Sequence, residues 1–274
     1  MHIKRFAVLG NPVGHSLSPR IHAAFAAQFR LAIDYTAERV EIANGVFESR
    51  VGDFFAVGGG GLNITLPFKA RAAQMAARPT AGVRLTGAAN TLWIREGELC
   101  ADNTDGPGWW EDIRRLSWDL RGARVLVLGA GGAVAGILPQ LLAGGIAGCC
   151  LCNRTLSKAE ELAANFAEAA GQAGVELSYG DMRTAQTTGA DLLINALSIH
   201  ADFSYDSLRN RPSLAYDLSY SLPHPTAFCA AMREAGIQHV TDGLGMLVYQ
   251  GAKSFAIWHG MQPDAAPVLR QLRP

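Results

Sequence analysis

Apolar positions fall into two patterns along this chain: short unbroken runs, which predict buried strands, and stripes recurring every three or four residues, which predict helices. Phe6 to Gly10 is a run of the first kind. A polar loop follows, then a helix that Ser18 caps and Pro19 opens, with Ile21, Phe25 and Phe29 along one face. Tyr35 to Val40 and Gly61 to Thr65 read as further strands, Val46 to Phe55 and Phe68 to Ala77 as helices. Thr91 to Ile94 and Glu98 to Ala101 are predicted to pair as a hairpin across Arg95-Glu96-Gly97, and the mixed α/β region ends near Asp105.

From Val125 the alternation is more regular. Strands are expected at Val125 to Leu128, Gly148 to Cys152, Asp191 to Asn195 and Leu214 to Leu218, with helices starting at Ala133 and Ser157. Such alternation implies a parallel, doubly wound sheet. Beyond it, Leu244, Leu247, Val248, Gly251, Phe255 and Trp258 form a helical stripe with no strand after it, suited to packing back on the first region. A length of 274 residues favours two modest domains with a cleft between them. The expected division is residues 1–105, completed by C-terminal helices in 243–274, and residues 106–242.

Composition then excludes several classes. Lys plus Arg and Asp plus Glu balance at 24 each, so no nucleic acid or other polyanion is expected as a partner. The 12 Pro and 30 Gly are dispersed, which argues against a low-complexity linker. The start Met1-His2-Ile3-Lys4-Arg5-Phe6 meets Gly10-Asn11-Pro12 before a signal-length apolar stretch forms. No run approaches the roughly 18 apolar residues of a spanning helix, so a cytoplasmic protein without membrane attachment is expected. The five cysteines, three of them at Cys149, Cys150 and Cys152, lack the spacing of a zinc site or a secreted disulfide framework. They read as strand-filling side chains in a reducing compartment, and no metal site is expected.

The chemistry begins at Val125-Leu-Val-Leu-Gly129-Ala130-Gly131-Gly132-Ala133-Val134, a Gly-rich turn between a buried strand and a helix. That is the context of a dinucleotide fingerprint. Gly129 permits the tight turn, Gly131 lets backbone approach a pyrophosphate, and the helix aims its first N–H groups at the phosphates. Val134 occupies the third fingerprint position, where a small residue is usual. About twenty residues on, where an NAD-binding unit places an acid for the ribose, the chain reads Cys152-Asn153-Arg154-Thr155, with Lys158 one turn later. Arg154 and Lys158 suit a 2′-phosphate, and Thr155 and Asn153 can add hydrogen bonds, so NADP(H) is favoured over NAD. Without a ligand the same residues would serve as a tight βα turn and solvated helix-start cations.

Four polar clusters fall in the first region. In Gly10-Asn-Pro-Val-Gly-His15-Ser16-Leu-Ser18-Pro19 two hydroxyls meet a helix N-terminus, which suits a carboxylate. Ser18 also has a structural reading as N-cap, Ser16 has none, and His15 reads as a loop hydrogen-bonder rather than a base. Asn63-Ile-Thr65-Leu-Pro67-Phe68-Lys69 turns Asn63 and Thr65 to one side and stops the strand just before Lys69. Gly87-Ala-Ala-Asn90-Thr91 and Asp102-Asn103-Thr104-Asp105-Gly106 are the others, the last being good turn chemistry in its own right.

Taken in order, GNPxxHSxSP at Gly10 to Pro19, NxTxPFK at Asn63 to Lys69, GAxNT at Gly87 to Thr91, DNTDG at Asp102 to Gly106, GAGG at Gly129 to Gly132, NRT at Asn153 to Thr155 and DGxGMLVxQ at Asp242 to Gln250 resemble shikimate dehydrogenases over essentially the whole chain. The resemblance implies an N-terminal substrate domain, a Rossmann-type NADP domain, and reversible NADPH-dependent reduction of 3-dehydroshikimate to shikimate in aromatic amino-acid biosynthesis. It implies Lys69 and Asp105 as the catalytic pair, and Ser16, Ser18, Asn63, Thr65, Asn90, Asp105, Gln250 and Tyr220 as substrate contacts. Gly129, Ala130, Gly131, Gly132, Ala133, Asn153, Arg154, Thr155, Lys158 and Gly243 are then the cofactor contacts. Two departures stand out: Val134-Ala135 where the family usually has Ser or Ala and then Arg, and Asn195-Ala-Leu197-Ser198-Ile-His200 where NATxxG is common. A quinate/shikimate dehydrogenase of relaxed specificity and a catalytically silent NADP or metabolite sensor are the alternatives, and a homodimer is compatible with the sequence.

Overall fold

The computed structural model describes residues 3–197, 208 and 211–273; Ser198 and His200, at the second departure, lie outside the described residues. The chain divides into two compact units, one made of residues up to Gly108 with Leu247–Leu272, the other of Trp109–Met246 with Arg273.

In the first unit the run at Phe6 to Gly10 forms the end of β1 (Lys4–Gly10), whose last five residues are buried. The elements that follow are α1 (Ser18–Gln28), β2 (Ile33–Arg39), α2 (Val46–Ala56), β3 (Gly61–Ile64), α3 (Lys69–Met75), β4 (Arg78–Pro79), α4 (Ala81–Thr86), β5 (Thr91–Arg95) and β6 (Glu98–Asp102). The sheet order is β2-β1-β3-β5-β6-β4. β1 pairs parallel with β2 and β3, whereas β5 runs antiparallel to both β3 and β6, which makes the sheet mixed. Arg95 pairs with Glu98, so the hairpin turn is Glu96-Gly97 rather than the three residues expected. Both turn residues have positive φ, 54° and 79°, the geometry that matches strand twist in a two-residue turn.

Helix α5 (Asp105–Arg115) begins in the first unit and ends in the second. The second unit continues with β7 (Arg124–Leu128), α6 (Gly132–Ala143), β8 (Gly148–Cys152), α7 (Leu156–Ala173), β9 (Glu176–Gly180), α8 (Met182–Thr187), β10 (Leu192–Asn195), β11 (Leu214–Asp217), α9 (Ala227–Glu234) and β12 (His239–Asp242). Its sheet is parallel throughout, in the order β12-β11-β10-β7-β8-β9. That is the doubly wound dinucleotide-binding order, with its reversal between β7 and β10. Periodicity did not announce β9, because an edge strand with one buried residue in five lacks the apolar run of a central strand.

The chain ends with α10 (Leu244–His259) and α11 (Ala265–Leu272). Within the first unit, Val248, Ala252 and Phe255 of α10 and Val268 of α11 join Ile21 and Phe25 of α1 in one buried cluster. Trp258 donates from Nε1 to the Leu92 carbonyl at 3.2 Å. A Cβ on Gly61 would sit 2.4 Å from the same indole, so β3 needs glycine there for α10 to lie against it.

Candidate active site

Pro67 stops β3, and Lys69 becomes the first residue of α3. Asp105 is the first residue of α5, with its backbone N–H donating to Asn103 Oδ1 at 3.1 Å. Asn103 is itself fixed, donating to the Ala88 carbonyl at 3.1 Å and Thr86 Oγ1 at 3.2 Å. These two helix starts bring Lys69 Nζ to 2.5 Å from Asp105 Oδ2, a charge-assisted bond whose carboxylate is buried and whose ammonium stays 17% exposed. The other carboxylate oxygen accepts from Asn90 Nδ2 at 2.9 Å. Thus Asp105 is held between a cation and an amide and faces one direction.

Asn90 links this pair to Gln250, whose Oε1 accepts from Asn90 Nδ2 at 3.1 Å. Asn90 Oδ1 accepts the Thr104 N–H at 2.9 Å and the Thr91 hydroxyl at 2.9 Å. Asn63 has its amide protons on the Asn90 carbonyl at 3.1 Å and Ser254 Oγ at 3.0 Å, while its Oδ1 accepts from Tyr35 at 2.7 Å. Asn63, Lys69, Asn90, Asp105 and Gln250 therefore form one connected polar cluster in the first unit. Thr65 stands at the end of β3, beside Gly10, where an added Cβ would reach its methyl at 2.3 Å.

The serines take roles different from those expected. Helix α1 starts at Ser18, and its N-cap residue is Leu17, which makes no side-chain cap. Ser16 Oγ instead accepts the Ser18 N–H at 3.2 Å, so the structural task belongs to Ser16 and the Ser18 hydroxyl is free of it. Ser18 is buried beside Tyr35, whose phenol burial pushes up while the Ser18 contact opposes that shift. His15 is exposed on the loop.

Sequence reasoning missed Tyr35, Thr104 and Ser254. Ser254, fully buried, sits one turn after Gln250 on α10, 2.7 Å from Thr91 Oγ1 and 3.3 Å from Thr104 Oγ1. A polar residue four places beyond Gln250 inside an apolar helical stripe was the available signal. Tyr35 carried none, since an aromatic in a strand is ordinary.

In the second unit, Gly129 ends β7 with φ 113°, a conformation that disfavours side chains, and a Cβ there would meet the Ala196 carbonyl oxygen at 3.0 Å. Its N–H donates to the Cys152 carbonyl at 2.7 Å, which sets the Gly-rich turn beside the end of β8. Helix α6 has Gly131 as N-cap with no side-chain cap, and a Cβ on Gly131 or Gly132 would meet nothing within 4 Å. Ala130 and Ala133 flank this turn. Val134 is fully buried in the core formed by β7 and α6, which explains how a larger third residue is accommodated. Ala135 occupies the next position and is also largely buried.

Arg154, Thr155 and Lys158 are exposed between β8 and the first turn of α7, and among the described residues neither cation makes an ion pair. Thr155 is the N-cap of α7 and makes no side-chain cap, while Asn153 donates to its carbonyl at 2.9 Å. An uncapped helix end, open space over two glycines, and unpaired cations on the adjacent loop fit a phosphorylated dinucleotide. Gly243 follows β12, where a Cβ would strike the Leu218 carbonyl oxygen at 2.4 Å, so backbone passes backbone closely there. Tyr220, half-buried, follows β11 in this unit. Asn195 at the end of β10 donates to Asp217 Oδ1 at 3.0 Å. Among the described residues, no group of three or more His, Cys, Asp or Glu is placed to hold a metal ion, and no helix is long and apolar enough to cross a membrane.

Comparison with known proteins identifies the family. Residues 8–92 match the shikimate dehydrogenase substrate binding domain, 112–199 the shikimate/quinate 5-dehydrogenase model, and 243–273 the shikimate 5′-dehydrogenase C-terminal domain. The NADP(+) shikimate dehydrogenase of Bordetella petrii is 43% identical over 99% of this chain and 96% of its own. Among solved structures, an Ael1 enzyme from Pseudomonas putida superposes with TM-score 0.87 at 36% identity, covering 99% of this chain and 98% of that one. The Thermus thermophilus shikimate 5-dehydrogenase in complex with NADP(H) and shikimate gives 0.84 at 31% identity, covering 98% of this chain and all of that one. With motifs, fold and full-length relatives in agreement, this chain belongs to the NADP-dependent shikimate dehydrogenase family.

Proposed function

We propose that this chain catalyses the reversible reduction of 3-dehydroshikimate to shikimate, with Lys69 and Asp105 as the catalytic pair, residues 1–105 with the C-terminal helices as substrate domain, and residues 106–242 as NADP domain. The observation that carries the reading is the 2.5 Å Lys69–Asp105 contact inside a cluster of directed amides. When bound, the reduced nicotinamide supplies hydride to the substrate ketone. Negative charge then develops on the ketone oxygen, and an ammonium can stabilise it and deliver the proton it needs. Asp105 takes only one of the three Lys69 N–H bonds, which leaves two for a substrate oxygen. Each Asp105 oxygen keeps a lone pair for a ring hydroxyl, and Gln250 keeps one amide proton beyond the bond to the Leu247 carbonyl.

Ser16, Ser18 and Thr65 lie at or beside the start of α1 and the end of β3, where hydroxyls and a positive helix end suit the substrate carboxylate. Asn63 and Asn90 act chiefly by holding the pair and Gln250 in direction, because their amide protons are already engaged. Tyr220 is also assigned a substrate contact. Gly129 to Ala133 and Gly243 would hold the pyrophosphate and nicotinamide portions, and Asn153, Arg154, Thr155 and Lys158 the 2′-phosphate. The test is absorbance at the NADPH band with shikimate and quinate, each against NADP and NAD. Turnover should be strongest with shikimate and NADP; equal use of NAD would defeat the cofactor assignment, and no turnover of shikimate would defeat the whole reading.

A further inference from the structure

Three of the five cysteines lie on β8, and two of them share a face. Cys150 and Cys152 are separated by one residue, so the strand turns their side chains to the same side, and their sulfurs lie 3.6 Å apart. Cys149 faces the other way and packs with Val125, Val127 and Leu151 in a different apolar cluster. Cys152 is fully buried, whereas Cys150 is 8% exposed. A cavity of about 180 Å³ reaches Cys150, with Ser178, Thr184, Thr188 and Arg124 also on its wall. The hydrogen bond from Cys152, helped by the hydroxyls of Ser178 and Thr188, lowers the Cys150 thiol against the cost of burial. The Cys152 thiol is correspondingly raised.

This is the arrangement of an attacking thiol with a resolving thiol behind it, in place of the purely strand-filling role expected of these cysteines. We propose that Cys150 and Cys152 form an oxidisable dithiol, closed to a disulfide by a hydroperoxide that enters through this cavity, and that closure weakens NADP(H) binding. The Cys150 thiolate attacks the peroxide O–O bond, giving a sulfenic acid and releasing the second oxygen as water or alcohol. The Cys152 sulfur then attacks the Cys150 sulfur; the S–O bond breaks, and the hydroxyl leaves as water with the Cys152 proton. Two thiols have lost two electrons and the peroxide has gained them. Closure bends the strand: residues two apart on a parallel strand have Cα atoms and same-face Cβ atoms about 6.6 Å apart, whereas a disulfide holds its Cβ atoms at roughly 3.5–4.5 Å.

The coupling to cofactor follows from where the strand leads. The Cys152 carbonyl accepts the Gly129 N–H at 2.7 Å, and Cys152 is followed directly by Asn153, Arg154 and Thr155. Drawing the two sulfurs together by about 1.5 Å, to the usual bond length, pulls on the backbone that joins both cofactor loops. This half of the proposal rests on the assignment of Arg154 and the Gly-rich turn to NADP(H).

The experiment treats the full chain with hydrogen peroxide, maps disulfides by mass spectrometry of unreduced digests, and titrates NADPH by fluorescence before and after treatment. Expected are a loss of two hydrogens, a Cys150–Cys152 link, and NADPH affinity reduced at least threefold, restored by dithiothreitol and unaltered by peroxide in Cys150→Ala. A Cys149→Ala variant should behave as the unmodified protein. Persistence of both thiols, or oxidation without a link between these two sulfurs, overturns the dithiol. A link with unchanged NADPH affinity overturns the coupling. Failure of the reduced protein to bind NADPH at all would instead overturn the cofactor assignment, and the disulfide map reads the dithiol independently of that result.

Discussion

The residue that concentrates most of the chemistry is Lys69, because its ammonium is tied to a buried carboxylate yet remains partly open to solvent. Lys69→Met keeps the stem of the side chain and removes the charge. Turnover should fall by roughly 10²- to 10⁴-fold while NADPH binding changes little, read by steady-state rates and a fluorescence titration. Near-normal turnover would remove Lys69 from the mechanism. His22 poses a different residue-level question. It is buried, stacks on Tyr35 at 4.4 Å between centroids, and neither ring nitrogen has a hydrogen-bond partner, although Asn63 lies beside it. Burial, reinforced by His259, pushes its pKa down to about 3. The folded protein keeps His22 neutral where the unfolded chain, with a pKa of about 6.5, takes up a proton. Its contribution is therefore complete above pH of about 6.5 and is lost progressively as pH falls toward the folded value, by a few kcal/mol at most. In His22→Phe, urea midpoints measured from pH 7 to 4.5 should fall less steeply than in the unmodified protein; parallel slopes would show that His22 carries no such linkage.

At the scale of elements, glycines decide how closely helices approach. In the second unit a Cβ on Gly245, at the start of α10, would lie 2.0 Å from Asp112 Oδ1 on α5. That carboxylate cannot step aside without loss, since Tyr216 donates to it at 2.7 Å and Arg115 Nε at 2.7 Å. Burial raises the Asp112 carboxyl pKa even against these partners, which indicates how little solvent reaches it. Gly245→Ala should cost about 1–3 kcal/mol in urea unfolding with the m-value retained. Gly171→Ala in α7, where an added Cβ meets nothing within 4 Å, should instead stabilise by roughly 0.5–1 kcal/mol. Equal effects at the two positions would contradict the packing argument. The central strands and the Gly-rich turn were legible because they carry apolar runs and fixed glycine spacing. Helix α5 was not, because Asp102-Asn103-Thr104-Asp105-Gly106 has the same residues as an ordinary turn, and its continuation as a helix depends on Asn103 being held by Thr86 and Ala88.

For the whole molecule, each unit has its own sheet and buried clusters, and each carries a different part of the proposed reaction. Cofactor should therefore stabilise the protein by mass action through the second unit. At a free concentration 100 times Kd, NADP should add about 2.7 kcal/mol to unfolding, seen as a rise in the thermal midpoint. Arg154→Ala should remove most of that rise at the same concentration and increase the NADPH KM more than it changes kcat. The same rise in the variant would show that the 2′-phosphate is held elsewhere.

Local pattern alone determined the alternation of strands and helices, the dinucleotide turn, and the choice of cations over an acid after β8, because each depends on residues close together in the chain. The ordered polar motifs also named nearly all the candidate site residues. Tertiary structure decided how they act on one another: which serine accepts the Ser18 N–H, that Asn90 spans Asp105 and Gln250, that Ser254 and Tyr35 support the cluster, and that two cysteine sulfurs lie 3.6 Å apart with a cavity reaching one of them. These contacts join residues as much as 163 positions apart, and no sequence period encodes a distance that only the packing of the sheets and the C-terminal helix creates.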